Sequence, residues 1–501
     1  MVPVLNSLDS NRTELNRSDL SSPDLSTLQL NLNQPLQPQL HQQLVDWICS
    51  GRLSSGSKLI SSRKLAESLN ISRNTVTQVI EQLKSEGFLI SYPAKGVFVN
   101  SALPSHVAAP DTPAWLSEVT LPELSKMAKD IAAFQTPALR TVLPFTPGVP
   151  DLSAFPKKIW ANLHRRHYDR NSLLGYAGSQ GYLPLREALS QYLKLSRGVR
   201  CNPNQIIITN GAQEALSLCA RLTLDQGDTA LIENPGYQRA RHAFLSQDIN
   251  LKTIPLNNNY IDVKKLSQIK TNAKVLYTTP THQYPLGGIM PASERMQLLD
   301  WANTTGTWII EDDYDSEYAF SQKPVAALQG MAEQTPVLYA GSFSKTLFPS
   351  LRIGYLVVPE ELVETFVTVK SHFSGETCLL NQAITADFIA EGHFVRHLRK
   401  MRGIYQNKWQ HFHHLINQEL STKAKPTGIS AGMHIALEVN TANDEQLRQQ
   451  LMEQGFGGRA LSSYYIGKPQ KQGLVVGFSN TNELQRIQYI ETLKKLINAQ
   501  K

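Results

Sequence analysis

The chain has 501 residues, 41% of them hydrophobic and 18% charged, a length that exceeds one ordinary core and suits a small domain joined to a large one. Its formal net charge of +7 permits a polyanionic partner without demanding one, because so modest an excess equally suits a solvated surface. Cys49, Cys201, Cys219 and Cys378 are widely spaced with no CxxC pair, so neither a disulfide framework nor a zinc site is indicated; no apolar run is long enough to span a bilayer and no signal peptide opens the chain, so cytoplasmic residence is expected.

Residues 1–34 are rich in Asn, Ser, Leu and Gln, with more acid than base, and read as a flexible extension without an assigned role. From Pro35 the pattern turns amphipathic, with Leu40, Leu44 and Ile48 at helical spacing. Ser61 or Ser62 can cap a second helix carrying Leu65 and Leu69, and Leu69, Asn70 and Ile71 make a turn. Ser72 can then cap a third helix with Val76, Val79, Ile80 and Leu83. After Gly87, β-rich pieces at Phe88–Tyr92 and Gly96–Val99 flank Pro93, Ala94 and Lys95, as in a hairpin. These elements make a unit over 35–100. Residues 101–144, punctuated by Pro104, Pro110, Pro113, Pro122 and Pro137 and holding one short helix near Leu121–Phe134, read as a linker.

The remainder, 145–501, has strand and helix signals in alternation. The β-branched run Ile206–Thr209 leads through Asn210 into Gly211, Ala212 and Gln213, where a helix begins; outward-pointing amides at such a start can hold a phosphate. Taken alone, this turn is weak, because many strand-to-helix turns use Gly and bind nothing. Tyr237 can stack on an aromatic ligand ring and Arg239 can meet an anion. The apolar run Trp308–Ile310 delivers Glu311, Asp312, Asp313 and Tyr314 to a strand end, where sites assemble in open α/β sheets. Then comes GSFSKTLFPSLRIG, in which Lys345 follows Ser342 and Ser344 and precedes Arg352. A lysine beside hydroxyls and an arginine suits an aldehyde cofactor whose phosphate is gripped while the amine forms an imine. Asp312, favoured over Asp313, would hold a pyridine nitrogen protonated, and Tyr314 would donate to the ring's phenolate oxygen. Singly, each residue has a bland reading as a solvated or locally bonded group; together they read as a pyridoxal 5'-phosphate site.

Two resemblances follow from the wording of the chain. GRLSSGSKL, SSRKLAESL, SRNTV, LKSEGFL and GVFV resemble the GntR-type winged helix-turn-helix. The resemblance implies that the third helix enters the major groove of operator DNA with Ser72, Arg73, Asn74 and Thr75 at its start, while Ser62, Arg63 and Lys95 meet the DNA backbone. GYAGSQGYLPLREAL, TNGAQEAL, ENPGYQRAR, TTPTHQYPLGG, EDDYDSEY and GSFSKTLFPSLRIGYL resemble a fold-type I aminotransferase of class I. That implies an α/β body with a mainly parallel sheet and a smaller C-terminal α+β subdomain. It also implies a homodimer in which Tyr176 reaches the phosphate of the neighbouring subunit, with His282 and Gln283 near the phenolate edge of the cofactor. Tyr284 stands where ordinary aminotransferases have asparagine.

The two together are similar to MocR-type regulators, which implies a cytoplasmic transcription factor, nucleoid-associated when bound, whose aminotransferase-like part senses pyridoxal phosphate, an amine or an amino acid. In GLVVGFSN, Val475 falls where transaminases carry an arginine for the substrate carboxylate. Arg239 and Arg459 are the candidates to supply the missing charge to an effector. A working aminotransferase with a fused DNA-binding unit is the rival reading, against which Val475 argues; a cofactor-binding protein with a vestigial reader is the third.

Overall fold

The computed structural model describes residues 25–102, 122–133, 142–269, 272–320, 325–420 and 422–499, and the chain divides into two compact units, Met1–Glu123 and Leu124–Lys501.

In the first unit, helices Leu36–Cys49, Ser62–Leu69 and Arg73–Ser85 pack through Leu40, Leu44, Leu65, Val76, Val79 and Leu83, all buried in one cluster. Of the two cap candidates it is Ser61 that caps the second helix, its side chain accepting from the Lys64 N–H at 3.3 Å, while Ser62 is the first helical residue. Ser72 caps the third helix by accepting from the Asn74 N–H at 3.1 Å. Asn70, at φ 53°, is the left-handed residue that ends the second helix and re-aims the chain. Strands β1 (Leu89–Tyr92) and β2 (Gly96–Val99) pair antiparallel, with Leu89 opposite Val99 and Tyr92 opposite Gly96, so Lys95 sits at an exposed hairpin tip.

The expected flexible extension of 1–34 needs a correction over its last ten residues. Leu25 and Leu28 are 3% and 6% exposed within the same core as the three helices. A polar seam fixes the segment beyond them: Gln43 Nε2 donates to the Gln29 carbonyl at 2.6 Å, and the Asn31 N–H donates to Gln39 Oε1 at 2.8 Å. The leucines supply apolar area that the composition of the segment as a whole conceals. Residues 1–24 lie outside the described residues, as do 103–121 and 134–141 of the expected linker. Its short helix is found at Lys126–Ala133 and groups with the second unit, where Lys126 meets Asp248 at 3.5 Å.

The second unit is built on an eight-stranded sheet: β3 (Ile206–Thr209), β4 (Thr229–Asn234), β5 (Asn250–Asn257), β6 (Tyr260–Ile261), β7 (Ala273–Thr278), β8 (Trp308–Asp313), β9 (Val337–Ser342) and β10 (Gly354–Val357). Their order is β3-β10-β9-β8-β7-β4-β5-β6. The β9-β8-β7-β4-β5 run is parallel; β10 and β6 run against it. Alternation sends Ile206 and Ile208 to one core and Ile207 to another, as expected for strands covered by helices on both faces. A smaller four-stranded antiparallel sheet follows, in the order β11 (Ala424–Thr427), β12 (His434–Val439), β14 (Gly473–Gly477), β13 (Arg459–Ala460). Helices Asp444–Glu453 and Glu483–Ala499 accompany it. Among the described residues, no helix is long and apolar enough to cross a membrane.

Candidate cofactor and effector site

A cavity of about 290 Å³ opens where β4, β7, β8 and β9 end. It is lined by Ala212, Gln213, Tyr237, Arg239, Tyr284, Asp312, Tyr314, Ser342, Ser344, Lys345, Arg352 and Arg459 among others. The sequence reading puts all but Tyr284 into cofactor or effector roles. The Lys345 amine donates to the Gly148 carbonyl at 2.8 Å, and its burial pushes its pKa below the ordinary lysine value, which favours the unprotonated, nucleophilic form.

The two adjacent aspartates are told apart by the pleat of β8. Asp313 accepts from Arg197 Nε and from the Tyr339 hydroxyl, both at 2.7 Å. Burial alone would raise its pKa, but the Arg197 guanidinium holds the carboxyl below the ordinary aspartate value. Asp312 faces the cavity. One of its oxygens accepts from the Tyr277 hydroxyl at 2.8 Å and the other is buried with no partner. Burial, with smaller contributions from Asp313 and Glu233, pushes this carboxyl up to about 7.

At the opposite end of the cavity the helix Ala212–Thr223 begins with Gly211 as an uncapped N-terminus. Gly211 adopts φ +83°, and a Cβ there would come within 3.1 Å of the Arg352 guanidinium. Arg352 donates to the Asn210 carbonyl at 2.7 Å and itself sits in the left-handed region at φ 54°, uncommon for a non-glycine residue. Ser342 and Ser344 join hydroxyl to hydroxyl at 3.0 Å. Amides, hydroxyls and a guanidinium thus converge in the manner of a phosphate cradle.

Two residues are placed differently from the sequence expectation. His282, expected at the cofactor, does not line the cavity: it stands behind Tyr314, with its Nδ1 3.0 Å from the Tyr314 hydroxyl and 2.9 Å from Asp315 Oδ1. His282 is carried by the segment after β7 and packs against Tyr314 from outside the cavity lining. Gln283 is likewise fully buried, and its amide donates to Glu233 Oε2 at 3.2 Å and to the Pro235 carbonyl at 2.9 Å. Tyr176 is 98% exposed, on a loop whose Ala177 and Gly178 N–H groups donate to Glu376 at 2.8 and 2.9 Å. His434 and Tyr464 line the cavity without a sequence signal of their own. The only trace of them lies in pairings that are remote in sequence, such as the Tyr284 and Tyr464 hydroxyls 3.0 Å apart.

In the first unit, Ser72, Arg73 and Asn74 are exposed and Thr75 half-buried at the start of the third helix, with Arg63 and Lys95 exposed and Ser62 half-buried. Arg63 meets Glu67 one turn on at 3.0 Å, a pair that leaves the guanidinium largely solvated.

A helix-turn-helix unit with a hairpin and an α/β body with a buried lysine in its cavity together define a two-part regulator on an aminotransferase scaffold. The family model for bacterial regulatory proteins of the gntR family matches residues 36–99, and that for aminotransferases of class I and II matches residues 140–470. The chain is 36% identical, over 93% of its length and 94% of the relative's, to the probable rhizopine catabolism regulatory protein MocR of Rhizobium meliloti. It is 29% identical over 91% of its length to the pyridoxine biosynthesis transcriptional regulator PdxR of Corynebacterium glutamicum, of which 95% is covered. LysN, an α-aminoadipate aminotransferase from Thermus thermophilus solved with N-(5'-phosphopyridoxyl)-L-leucine, is 25% identical with a TM-score of 0.67, over 75% of this chain and 95% of that one. The chain belongs to the MocR-type regulators of the GntR family. It is a transcriptional regulator with an aminotransferase-like domain, the reading that these relatives favour over that of a turnover enzyme.

Proposed function

We propose that the body holds pyridoxal 5'-phosphate on Lys345 and that an amine or amino acid effector, by competing for the same aldehyde carbon, changes how the first unit holds operator DNA. The observation that carries this reading is the unpartnered buried oxygen of Asp312 in the cavity that contains Lys345. A buried carboxylate oxygen without a donor is costly, and a pyridinium N–H satisfies it. The phosphate fits the other end, against the Gly211, Ala212 and Gln213 amides, Ser342, Ser344 and Arg352, where only a residue without a side chain leaves room beside the guanidinium. Tyr237 covers the ring and Tyr314 donates to its oxygen. When bound, the cofactor supplies an aldehyde that exchanges between the lysine and an incoming primary amine. The chain's own groups orient it, exclude water and, through Arg239 and Arg459, grip the anionic end of the effector.

Tyr176, exposed on its own subunit, would complete the phosphate site of a second copy, making the regulator a homodimer with shared sites. Mixing Lys345→Ala with Tyr176→Ala subunits should then restore one sound site per mixed dimer. In the DNA-binding unit, Arg73, Asn74 and Thr75 would meet base edges and Ser62, Arg63, Ser72 and Lys95 the phosphates. Such a protein would work in the cytoplasm at the chromosome. An effector can alter operator affinity only by favouring one of two conformations.

The test is footprinting on DNA upstream of its own gene and of neighbouring genes, with and without pyridoxal phosphate and a panel of amines. A protected operator whose occupancy responds to an amine, with the response lost in Lys345→Ala, is expected. Failure to retain any promoter fragment, or a visible absorbance band that survives Lys345→Ala, overturns the reading.

A further inference from the structure

At the cavity wall stands a chain of three side chains, Tyr314, His282 and Asp315, of which Tyr314 and Asp315 line the cavity and His282 packs behind them; the proposed function uses only the Tyr314 hydroxyl. We infer that Asp315 and His282 are positioning residues: they hold the Tyr314 oxygen as an acceptor from the imidazole, so that the Tyr314 O–H is left free to donate into the cavity. This inference rests on the cofactor reading above, since the recipient of that donation is the ring oxygen of the bound cofactor.

The argument is one of donors and acceptors. His282 Nδ1 is 2.9 Å from Asp315 Oδ1 and 3.0 Å from the Tyr314 oxygen. A carboxylate can only accept, so Nδ1 carries the hydrogen and shares it in a three-centre bond. If the phenol instead donated to Nδ1, the nitrogen lone pair would face the Asp315 carboxylate with no proton between them. The tyrosine oxygen is therefore occupied as an acceptor, and its own hydrogen must point away from His282. Tyr314 lines the cavity, so that direction is toward the ligand.

The surroundings keep this arrangement in one state. His282 and Asp315 are 4% and 2% exposed, and the second Asp315 oxygen is buried without a partner, so the carboxylate has no competing donor to draw it away from the imidazole. Gly432, at φ +71°, leaves the space that the pair fills: a Cβ there would lie 2.6 Å from Asp315 Oδ2 and closer still to the His282 ring. The titratable groups facing His282 are Tyr314, Asp315 and, from β12, His434, whose ring centroid is 5.3 Å away; Lys345 and Arg239 lie beyond in the cavity. His434 donates through Nε2 to the Pro285 carbonyl at 3.1 Å, and burial, aided by His282, pushes its pKa down to about 4. It stays neutral near pH 7 and so adds no charge against the His282 ring.

A donor aimed at the ligand's ring oxygen favours the ionised oxygen, so removing the relay should raise the pH at which the visible absorbance of the full-length, cofactor-loaded protein changes. His282→Phe and Asp315→Asn are each expected to move that midpoint upward by about one unit, a tenfold change in proton affinity. His282→Asn, whose amide N–H can replace Nδ1–H, should remain nearer the wild-type midpoint than His282→Phe. A merely structural pair would lower the melting temperature and leave the midpoint where it was. A midpoint unmoved in both His282→Phe and Asp315→Asn, with the band present, overturns the relay alone. Absence of the band from the wild-type protein overturns the cofactor reading and the relay with it.

Discussion

Arg459 and Val475 are register partners across the antiparallel β13 and β14 pair. The position at which the sequence lacks a transaminase-like arginine therefore has one directly opposite it in the ladder. Val475 is fully buried among Leu286, Ala436, Leu461 and Tyr464, whereas Arg459 lines the cavity together with Arg239. Directly opposed residues of an antiparallel pair project to the same face, so under the proposed function Arg459 presents a charge beside the valine. Arg459→Ala and Arg239→Ala should each weaken the response to a carboxylate-bearing amine by roughly 10- to 100-fold, the scale of about 1.5–3 kcal/mol for a hydrogen bond to a charged group, while the visible absorbance persists. Titrating operator binding against effector measures this, and an unchanged midpoint in both variants removes the two arginines from the effector site. Val475→Arg should not create a better grip; it puts a guanidinium into an apolar cluster beside an existing cation and should lower the melting temperature instead.

Asp312 gives the cofactor-free protein a distinctive pH dependence. Its carboxyl is pushed up to about 7 in the folded chain, chiefly by burial, and titrates near 4 when unfolded. Between those values the folded state holds the extra proton, so this group's contribution to stability falls as pH rises from about 4 to 7. His434 and His397, both pushed down to about 4 by burial, act in the opposite sense up to about 6.5. The clean quantity is thus the difference between wild type and Asp312→Asn. Denaturant unfolding of the cofactor-free pair should show Asp312→Asn gaining on the wild type progressively from about pH 4 to pH 8, by a few kcal/mol at the upper end. A difference that does not vary with pH would mean that Asp312 is not the buried, undercompensated acid described.

How much of this site is legible in the sequence depends on whether the signal is local. Lys345, its two serines and Arg352 sit within one short motif, so this part of the cavity can be read directly, whereas the strand-to-helix turn at Gly211 is weak alone and gains meaning only beside that motif. Strand alternation says that Asp312 and Asp313 point opposite ways, but not which way is inward; that is set by Arg197 and Tyr339, residues remote in the chain. His282 reads as a cofactor residue because its motif runs past it, and one layer of packing separates the two. Leu25 and Leu28 are hidden by the polar composition of the residues around them, because averaging over a segment erases two buried side chains.

In the DNA-binding unit, the proposed interface assigns specificity to the start of the third helix and affinity to the hairpin tip. Arg73 is exposed in the first turn beyond the Ser72 cap, where the proposed interface gives it a base edge, whereas Lys95 is at the exposed hairpin tip, where the same proposal gives it a phosphate. Arg73→Ala should reduce discrimination between operator and unrelated DNA by about 1–3 kcal/mol. Lys95→Ala should weaken both about equally and lower the salt slope of binding by about one. Fluorescence anisotropy across a salt series on both DNAs separates the two. Equal losses from the two variants on operator and unrelated DNA would show that the third helix does not read bases.

The segment Leu25–Thr27 with Leu28 tests whether the DNA-binding unit begins before its first long helix. Leu25 is as buried as the helix leucines it touches, and the Gln29 and Gln43 pair closes the seam with reciprocal hydrogen bonds. Removing a buried leucine side chain costs about 2–5 kcal/mol when the site cannot collapse, and somewhat less at the edge of a small core, where water can fill the space. Leu25→Ala in the full chain should therefore lower the first thermal transition and leave the transition of the cofactor-loaded body in place, because the two units have separate cores. Operator affinity at low temperature should be nearly unchanged, since the recognition helix keeps its Ser72 cap and its contacts through Val76, Val79 and Leu83. A full loss of DNA binding at temperatures where the variant is still folded would instead give this segment a direct part in the interface. No change in either transition would return it to the role of an unpacked extension.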